Sequence, residues 1–418
     1  MKINNHNQNS NILAKNSLIV FILTTFGSAL NYLCQILMGR FFSVSNYGIV
    51  NTIFSLTIIV SVIGSTASMI LSKVISENRK SGAGLCYKIL SVVNIVCIIL
   101  FLASIIISPL FAHFLNWNYL IVVLAIISLV TSIYPIVYQG IFGGLGKFVS
   151  LGLYTLIIPV IKIFSLILIV LLNIDGLSEV YSILLSIILG NIISLIVGYI
   201  ITRKNVKEIK KSNRKVRYIW QEYKNVFYAN ILIMFLMNID ILYLTCFYDS
   251  ETIGLYSSVL VFGKMIYYFV TALVTVMLPL ISRNRKDSKY VDKMLYKTLT
   301  YTIILTLIFL IPTNVFGKGI LNIVFGSKYD PAIIYLKYAS LISLSYSLNL
   351  ILLNYLTGIN KVKFMKKTLV IGSILATIIL IAINRYKYAS LIIIFLINIF
   401  IFIINLLAIK NKKLGGSK

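Results

Sequence analysis

Residues 17–38 read SLIVFILTTFGSALNYLCQILM, an uncharged run of 22 residues near the start of the chain. A helix needs about 20 apolar residues to cross the ~30 Å hydrocarbon core of a bilayer, so this run can span it. It is longer than a signal-peptide core and no small-x-small cleavage pattern follows it, so we expect it to remain as the first span. Eleven further apolar stretches begin near Gly48, Ile89, Tyr119, Val149, Tyr181, Val226, Gly254, Leu299, Ala332, Thr368 and Ala389. The sequence therefore predicts an all-α integral membrane protein with about twelve transmembrane helices.

The basic residues are strongly biased toward one side of the predicted membrane. Of the 38 Lys and Arg, 30 fall in the terminal tails and the even-numbered connections between spans, and 5 in the odd-numbered connections. Short loops rich in Lys and Arg stay in the cytoplasm, which predicts cytoplasmic termini and a bacterial inner-membrane location. A net charge of +27 would suggest nucleic-acid binding in a soluble protein. Here the charge follows membrane insertion and anionic lipid headgroups, so no nucleic-acid partner is expected.

The longest polar connection follows the sixth span and divides the chain into two halves. It predicts an N-terminal six-helix bundle over 1–201, a basic cytoplasmic linker over 202–225 and a C-terminal six-helix bundle over 226–418. A shift of 206 residues aligns 47–49 (YGI) with 253–255 (IGL) at equivalent points of the second and eighth spans. Those spans run the same way, so the repeat that the match implies is parallel. A chance match in so apolar a chain is the alternative. Transporters of this kind hold substrate near the midplane between their halves, which predicts a central polar cavity.

Four segments carry a likeness to a known family. Residues 38–49 (MGRFFSVSNYGI) resemble the Gly-Arg to Tyr-Gly turn after the first span of polysaccharide flippases, with Asn46 where the family often has Glu. Residues 239–241 (IDI), 251–257 (ETIGLYS) and 277–283 (MLPLISR) extend the likeness into the second half. Together the segments resemble the Wzx-type flippases of the multidrug/oligosaccharidyl-lipid/polysaccharide exporter superfamily.

The resemblance implies a substrate and a route. Such proteins move undecaprenyl-diphosphate-linked oligosaccharide repeat units, of O-antigen, capsule or a similar glycan, from the cytoplasmic to the periplasmic leaflet by alternating access. A protein is needed because a diphosphate and several sugars cannot cross hydrocarbon unaided, whereas the lipid tail can stay in the bilayer. The resemblance also implies a polysaccharide polymerase and a chain-length regulator as partners.

Charged residues inside spans are costly and mark functional sites by default. Asp240 and Lys264 are 24 residues apart with their midpoint at Thr252, in the predicted turn between spans seven and eight, so we expect them at the same depth. Two interpretations remain open: a structural ion pair, or a Lys264 that binds diphosphate while Asp240 orients it or takes a proton. Lys264 also begins a polar face with Tyr268 at helical spacing, which favours either a wet lumen or interhelical hydrogen bonds.

The remaining candidates for substrate binding are two lysines and three amides. Lys162 lies near the predicted midplane of span five with no acidic partner visible in the spans of its half, which favours an anion-facing role. Lys337 lies one turn inside the tenth span and can snorkel outward. Asn31 and Gln35 share one stripe of span one, and Asn349 lies in span ten. Amides suit sugar hydroxyls, but they equally suit hydrogen bonds between packed helices.

The energy source is expected to be an ion gradient or the membrane potential. The glycine-rich run 140–147 (GIFGGLGK) lacks the spacing and the following hydroxyl residue of a phosphate-binding loop, so it predicts a flexible cytoplasmic hinge and no nucleotide site. No cofactor or metal is expected. An anionic headgroup moving outward gains ~2.3 kcal/mol per charge per 100 mV, and H⁺ or Na⁺ counter-transport through Asp240 is a further possibility.

Two other functions compete with glycan export. A cation-coupled drug or small-molecule exporter of the same superfamily needs carboxylates in its spans, and here Asp240 stands against three intramembrane lysines. A membrane-embedded sugar polymerase needs acid, base or metal-binding groups at the outer face, where the loops are short and the acids show no pairing pattern. An anionic cargo is therefore favoured, and no enzymatic activity is expected.

Overall fold

The computed structural model describes the backbone of residues 2–77, 79–172, 177–207, 216–285 and 287–411. Within these ranges the chain forms fifteen α-helices and one 3₁₀ helix, and no strand. The α-helices are α1 (Lys2–Phe41), α2 (Val44–Glu77), α3 (Arg79–Leu115), α4 (Tyr119–Thr131), α5 (Ile133–Leu145), α6 (Phe148–Thr155), α7 (Ile157–Leu171), α8 (Leu177–Lys207), α9 (Val216–Phe247), α10 (Ser250–Arg283), α11 (Ser288–Val315), α12 (Gly317–Phe325), α13 (Ile333–Gly358), α14 (Val362–Ala382) and α15 (Lys387–Lys410). The 3₁₀ helix, Ser327–Ala332, lies between α12 and α13.

Twelve segments of the described chain are long and apolar enough to cross a membrane, which confirms the predicted all-α membrane protein. The fourth span is built from α4 and α5, and the fifth from α6 and α7. Pro135 is the third residue of α5 and Pro159 the third residue of α7. Proline lacks an N–H and its ring clashes with the carbonyl four residues earlier, so each of these spans is interrupted just before its proline.

The chain divides into two compact units. Unit 1 consists of residues 1–42 and 60–223, and unit 2 of residues 43–59 and 224–418. The helix α2 therefore contributes to both units, whereas the predicted halves placed all of it in the first bundle. Much of the predicted linker 202–225 is helical, because α8 continues to Lys207 and α9 begins at Val216. Residues 208–215 lie outside the described part of the chain.

In unit 1, small residues let α2 and α5 approach closely. A Cβ added to Gly140 would overlap the backbone of Ser68, and one added to Gly144 would lie 3.0 Å from the carbonyl oxygen of Ser72. Such glycines are typical of tightly packed membrane helices. The predicted flexible hinge is therefore wrong for most of its length: the run is helical through Leu145, and Gly140 and Gly144 are packing residues.

In unit 2, the first part of α2 packs against α9 and α10 through another pair of glycines. A Cβ added to Gly48 would lie 2.7 Å from the backbone nitrogen of Gly254, and a Cβ on Gly254 would overlap the carbonyl oxygen of Val44. The hydroxyls of Thr52 and Thr245 are 2.8 Å apart in the same region. The two glycines that the 206-residue shift aligned are thus in direct contact.

The helix α13 is the central helix of unit 2. Of its 26 residues, 18 are buried, and its neighbours include α10, α11 and α15. It carries serines on the faces that meet other helices, and Ser343 lies directly against Gly263 of α10. Small polar residues of this kind allow close approach and can hydrogen-bond within the membrane. Side chains on α13 are therefore positioned by packing on several sides.

Candidate functional site

The carboxylate of Asp240 is completely buried in unit 2 and accepts two hydrogen bonds. The hydroxyl of Tyr256 donates to Oδ2 at 2.5 Å, and the backbone N–H of Ile241 donates to Oδ1 at 2.8 Å. Tyr256 is itself completely buried. Both carboxylate oxygens are therefore satisfied by neutral donors, as a buried polar group requires.

The turn between α9 and α10 explains why Tyr256 is the partner of Asp240. The turn lies at residues 248–249, midway between the two residues, so they face each other across the hairpin. The prediction that the turn lies at Thr252 was wrong, because α10 already begins at Ser250. Glu251 in the first turn favours this start, since a negative charge near a helix N-terminus interacts well with the helix dipole.

Lys264 lies in the same hairpin, but it does not pair directly with Asp240. It lies 14 residues beyond the start of α10, two helical turns past Tyr256, and is half-buried. The two charges interact electrostatically, yet no ion pair within 4.0 Å joins these two described residues. The predicted equal depth is thus wrong, for the same reason as the predicted turn. The side chain of Tyr268, the next candidate on this face, lies outside the described residues.

In unit 1, the structure brings together Lys162 and Asn31, which the sequence offered as separate candidates. The Lys162 ammonium of α7 donates to the amide oxygen of Asn31 in α1 at 3.4 Å. Nearby, α1 packs closely at Gly27 against the junction of α6 and α7, where an added Cβ would lie 3.2 Å from the Leu156 side chain. A lysine inside one span is thus hydrogen-bonded to the amide of a neighbouring span.

The two other predicted amides, Gln35 and Asn349, differ in their hydrogen bonding. Gln35 lies one turn after Asn31, and its Oε1 is a buried acceptor with no hydrogen bond among the described residues. Asn349 is almost completely buried, and its amide donates to the carbonyl of Asn398 in α15 at 2.8 Å and to Ser345 in its own helix at 3.0 Å. For Asn349, the interhelical hydrogen bond is the interpretation that the contacts favour.

Replacing Asn349 with Leu should lower stability without removing a substrate contact. Interhelical hydrogen bonds in membranes contribute about 0.6–2 kcal/mol, so we expect the free energy of unfolding to fall by about that amount. Thermal unfolding of the purified protein in detergent measures it. Asn314→Leu is the matched control, because the Asn314 amide is exposed and bonds only Leu310 of its own helix. Loss of export at unchanged stability would instead make Asn349 a ligand of the substrate.

Sequence reasoning missed a group of aromatic and basic side chains in unit 2. We call it the tyrosine–lysine cluster, which consists of Tyr248, Tyr335, Tyr338, Tyr388, Lys337 and Lys387. The Lys387 ammonium lies 5.2–5.5 Å from the ring centroids of Tyr248, Tyr335 and Tyr388. The predicted candidate Lys337 lies over Tyr338 at 5.0 Å. Both distances are within the range of cation–π interactions.

Three rings of the cluster are in contact, because Tyr388 pairs with both Tyr335 and Tyr338. Tyr338 stacks on Tyr388 with centroids 5.7 Å apart and an angle of 24° between the planes. The hydroxyl of Tyr248 donates to the carbonyl of Asn384 at 2.9 Å. Burial and the hydrogen bond to Tyr243 raise the pKa of Tyr248, so it remains a neutral donor. Two features of the sequence indicated the cluster: tyrosines one turn apart at the start of α13, and Tyr386-Lys387-Tyr388 at the start of α15.

Comparison with solved structures shows which fold this is. The chain is similar to a multidrug resistance MATE family transporter of the MOP superfamily in its inward-facing conformation, with 11% identity and a TM-score of 0.73 over 92% of this chain and 94% of that one. It is similar to the lipid II flippase MurJ in an inward closed conformation, with 18% identity and a TM-score of 0.67 over 95% and 91%. A MOP superfamily transporter from Pyrococcus furiosus gives 14% identity and a TM-score of 0.59 over 97% and 96%.

These likenesses confirm the predicted superfamily fold. No curated protein sequence matches the chain. The family model described as polysaccharide biosynthesis protein matches residues 37–334, which cover most of the described spans. On that match, this multi-pass membrane protein belongs to the polysaccharide biosynthesis protein family.

Proposed function

We propose that this protein is a flippase for undecaprenyl-diphosphate-linked oligosaccharide repeat units, which it moves from the cytoplasmic to the outer leaflet of a bacterial inner membrane by alternating access. Family membership supports a role in polysaccharide biosynthesis, and the fold is one that a lipid II flippase also has. Both termini are cytoplasmic in this proposal, as the distribution of Lys and Arg predicts. The glycan is of the O-antigen or capsule kind.

The observation that carries the proposal is the excess of positive charge inside the spans. The buried Asp240 is already hydrogen-bonded to Tyr256, and Lys264 has no ion pair within 4.0 Å in the described structure. Lys162 is held by an amide. Each six-helix half therefore carries an intramembrane lysine, and ionisable residues at such depth mark functional sites by default.

The energy for export comes from the membrane. The lipid tail stays in hydrocarbon, and the anionic headgroup moving outward gains ~2.3 kcal/mol per charge per 100 mV. In this proposal a proton or Na⁺ moves inward in exchange, and Asp240 is the acid that responds to it. A polysaccharide polymerase and a chain-length regulator act on the exported units.

Replacing either intramembrane lysine should reduce export. Loss of a desolvated charge contact costs about 2–5 kcal/mol, so Lys162→Gln and Lys264→Gln are each expected to lower export of the lipid-linked glycan at least tenfold. Surface polysaccharide in a strain that depends on this protein measures export, with the membrane level of each variant determined in parallel. Lys289→Gln, which alters an exposed lysine at the start of α11, is the control. Normal surface polysaccharide in both intramembrane variants would refute an anionic cargo bound by these lysines.

A drug or cation exporter of the same superfamily is the second candidate, supported by the likeness to MATE transporters and by the buried carboxylate of Asp240. That function needs Asp240 to bind a cation. It predicts that Asp240→Asn raises the susceptibility of cells to cationic drugs, while Lys264→Gln leaves it unchanged. The flippase proposal instead predicts that both substitutions lower glycan export and that neither changes the susceptibility to cationic drugs.

A further inference from the structure

The tyrosine–lysine cluster contains two cations and no acid to neutralise them. Neither Lys337 nor Lys387 forms an ion pair within 4.0 Å in the part of the chain that the structure describes. Each ammonium instead faces tyrosine rings, and the stacked rings of Tyr338 and Tyr388 link the two. Aromatic faces stabilise a cation without removing its charge, so both ammonium groups can still attract an anion. A polar anion with two adjacent charges fits this arrangement.

An apolar cleft adjoins the cluster. It has a volume of about 300 Å³ and lies between α13 and α15, with Lys337 and Tyr338 at one end and Leu341, Ile392 and Phe395 along its walls. That volume is at the lower end of the range for ligand sites, ~300–1,000 Å³. Ile392 is 45% exposed, and in a transmembrane helix an exposed isoleucine faces lipid. The cleft is therefore open to an apolar chain arriving from the bilayer.

Three kinds of chemistry are thus adjacent on the first turns of α13 and α15. The cleft suits one apolar chain, the two ammonium groups suit phosphates, and the tyrosine faces and hydroxyls suit a sugar ring. We propose that this is a binding site for an isoprenoid diphosphate-linked sugar, a site that rests on the proposed function and is separate from Lys162 and Lys264. A membrane phospholipid carries two acyl chains and a single phosphate, so it matches neither the single cleft nor the two ammonium groups.

The site lies on the side where the substrate would be released. The cluster is formed at the α9–α10 turn, which is the seventh connection between spans, and at the starts of α13 and α15, which follow the ninth and eleventh connections. The distribution of Lys and Arg predicts that those connections are external. The cluster would therefore hold the headgroup after it crosses, before the lipid-linked unit diffuses away.

The test is isothermal titration of the full-length protein in detergent with geranylgeranyl diphosphate as the probe. Geranylgeraniol tests the chain alone, inorganic pyrophosphate tests the headgroup alone, and phosphatidylglycerol tests a general anionic lipid. We expect the diphosphate lipid to bind at least tenfold more tightly than each of the other three. Lys337→Gln and Lys387→Gln should each weaken it tenfold or more, and Ile392→Trp, which fills the cleft, should weaken the lipid but not pyrophosphate.

Control variants separate binding from folding. Lys363→Gln alters an exposed lysine in the first turn of α14 and should change the affinity less than twofold. Lys387→Arg keeps the charge over the rings and should retain most of the binding. Unchanged affinity in Lys337→Gln and Lys387→Gln, equal affinity for phosphatidylglycerol, or no binding by the unaltered protein would each overturn the site. If export depends on Lys162 and Lys264 but no isoprenoid diphosphate binds, the proposed function stands and this site is refuted. If the isoprenoid diphosphate binds but no glycan is exported, this site stands and the proposed function is refuted.

Discussion

Gly254→Val is expected to abolish accumulation of the folded protein, and Gly48→Val should do the same. At these positions the nearest neighbours of an added Cβ are backbone atoms of the facing helix, including the carbonyl oxygen of Val44. A flexible side chain can move aside, but helix backbone in a packed bundle cannot. Overpacking typically costs about 1–3 kcal/mol and more when the backbone must move, so we expect at least ~3 kcal/mol here. The fraction of monodisperse protein recovered in detergent measures the effect.

Gly319→Val is the matched control for this pair. Gly319 lies in the helix α12, and an added Cβ there would meet nothing within 4 Å. The same substitution in open space should leave the yield of folded protein close to that of the unaltered chain. Normal yield from Gly254→Val would show that α2 and α10 do not approach as described.

Tyr256→Phe is expected to destabilise the protein strongly, because it leaves one oxygen of the buried Asp240 carboxylate without its donor. Hydrogen bonds to charged groups contribute about 1.5–3 kcal/mol, so we expect the free energy of unfolding to fall by about that amount. The double variant Asp240→Ala with Tyr256→Phe should lose less than the sum of the single losses, because both changes remove the same interaction. Unfolding of the purified protein in detergent gives these energies.

The same cycle with Lys264 distinguishes the two possible partners of Asp240. No direct ion pair joins Asp240 and Lys264, so the coupling energy of Asp240→Ala with Lys264→Ala should be smaller than that of Asp240→Ala with Tyr256→Phe. A larger coupling to Lys264 would restore the ion pair that the sequence suggested and contradict the hydrogen bond to Tyr256.

The sequence predicted the spans well because length and charge determine them. Crossing hydrocarbon needs about 20 apolar residues, and few other constraints compete with that rule. The pairing of Asp240 depended on a finer quantity, the residue at which a helix begins. The centre of the turn lies near residue 248 instead of 252, and an error of four residues in the centre of a hairpin moves the facing residue by eight, from Lys264 to Tyr256.

Contacts between helices far apart in the sequence could not be predicted in this way. Lys162 meets Asn31 because α1 packs at Gly27 against the junction of α6 and α7, and no periodicity within these helices contains that information. The glycines of the 140–147 run were interpreted as a hinge because glycine favours flexibility in isolation. Inside a bundle its lack of a side chain instead permits close packing.

The tyrosine–lysine cluster was visible in part. Tyrosines near the ends of spans are common, because the ring prefers the interface between lipid and water. Nothing in the sequence distinguishes such a belt from a site in which three rings surround one ammonium group. That distinction required the positions of Tyr248, Tyr335 and Tyr388 around Lys387.

The sharing of α2 between the two units has a consequence for biogenesis. Gly48 is translated 206 residues before Gly254, and at ~5–20 residues per second the ribosome needs about 10–40 s to reach it. Throughout that delay the first part of α2 lacks its partner in α10, so the glycine surface at Gly48 stays uncovered until α10 is made. If the gene were split at 202–225, the second polypeptide would lack residues 43–59, which belong to unit 2. Unit 2 should therefore be complete only when both polypeptides are made in the same cell.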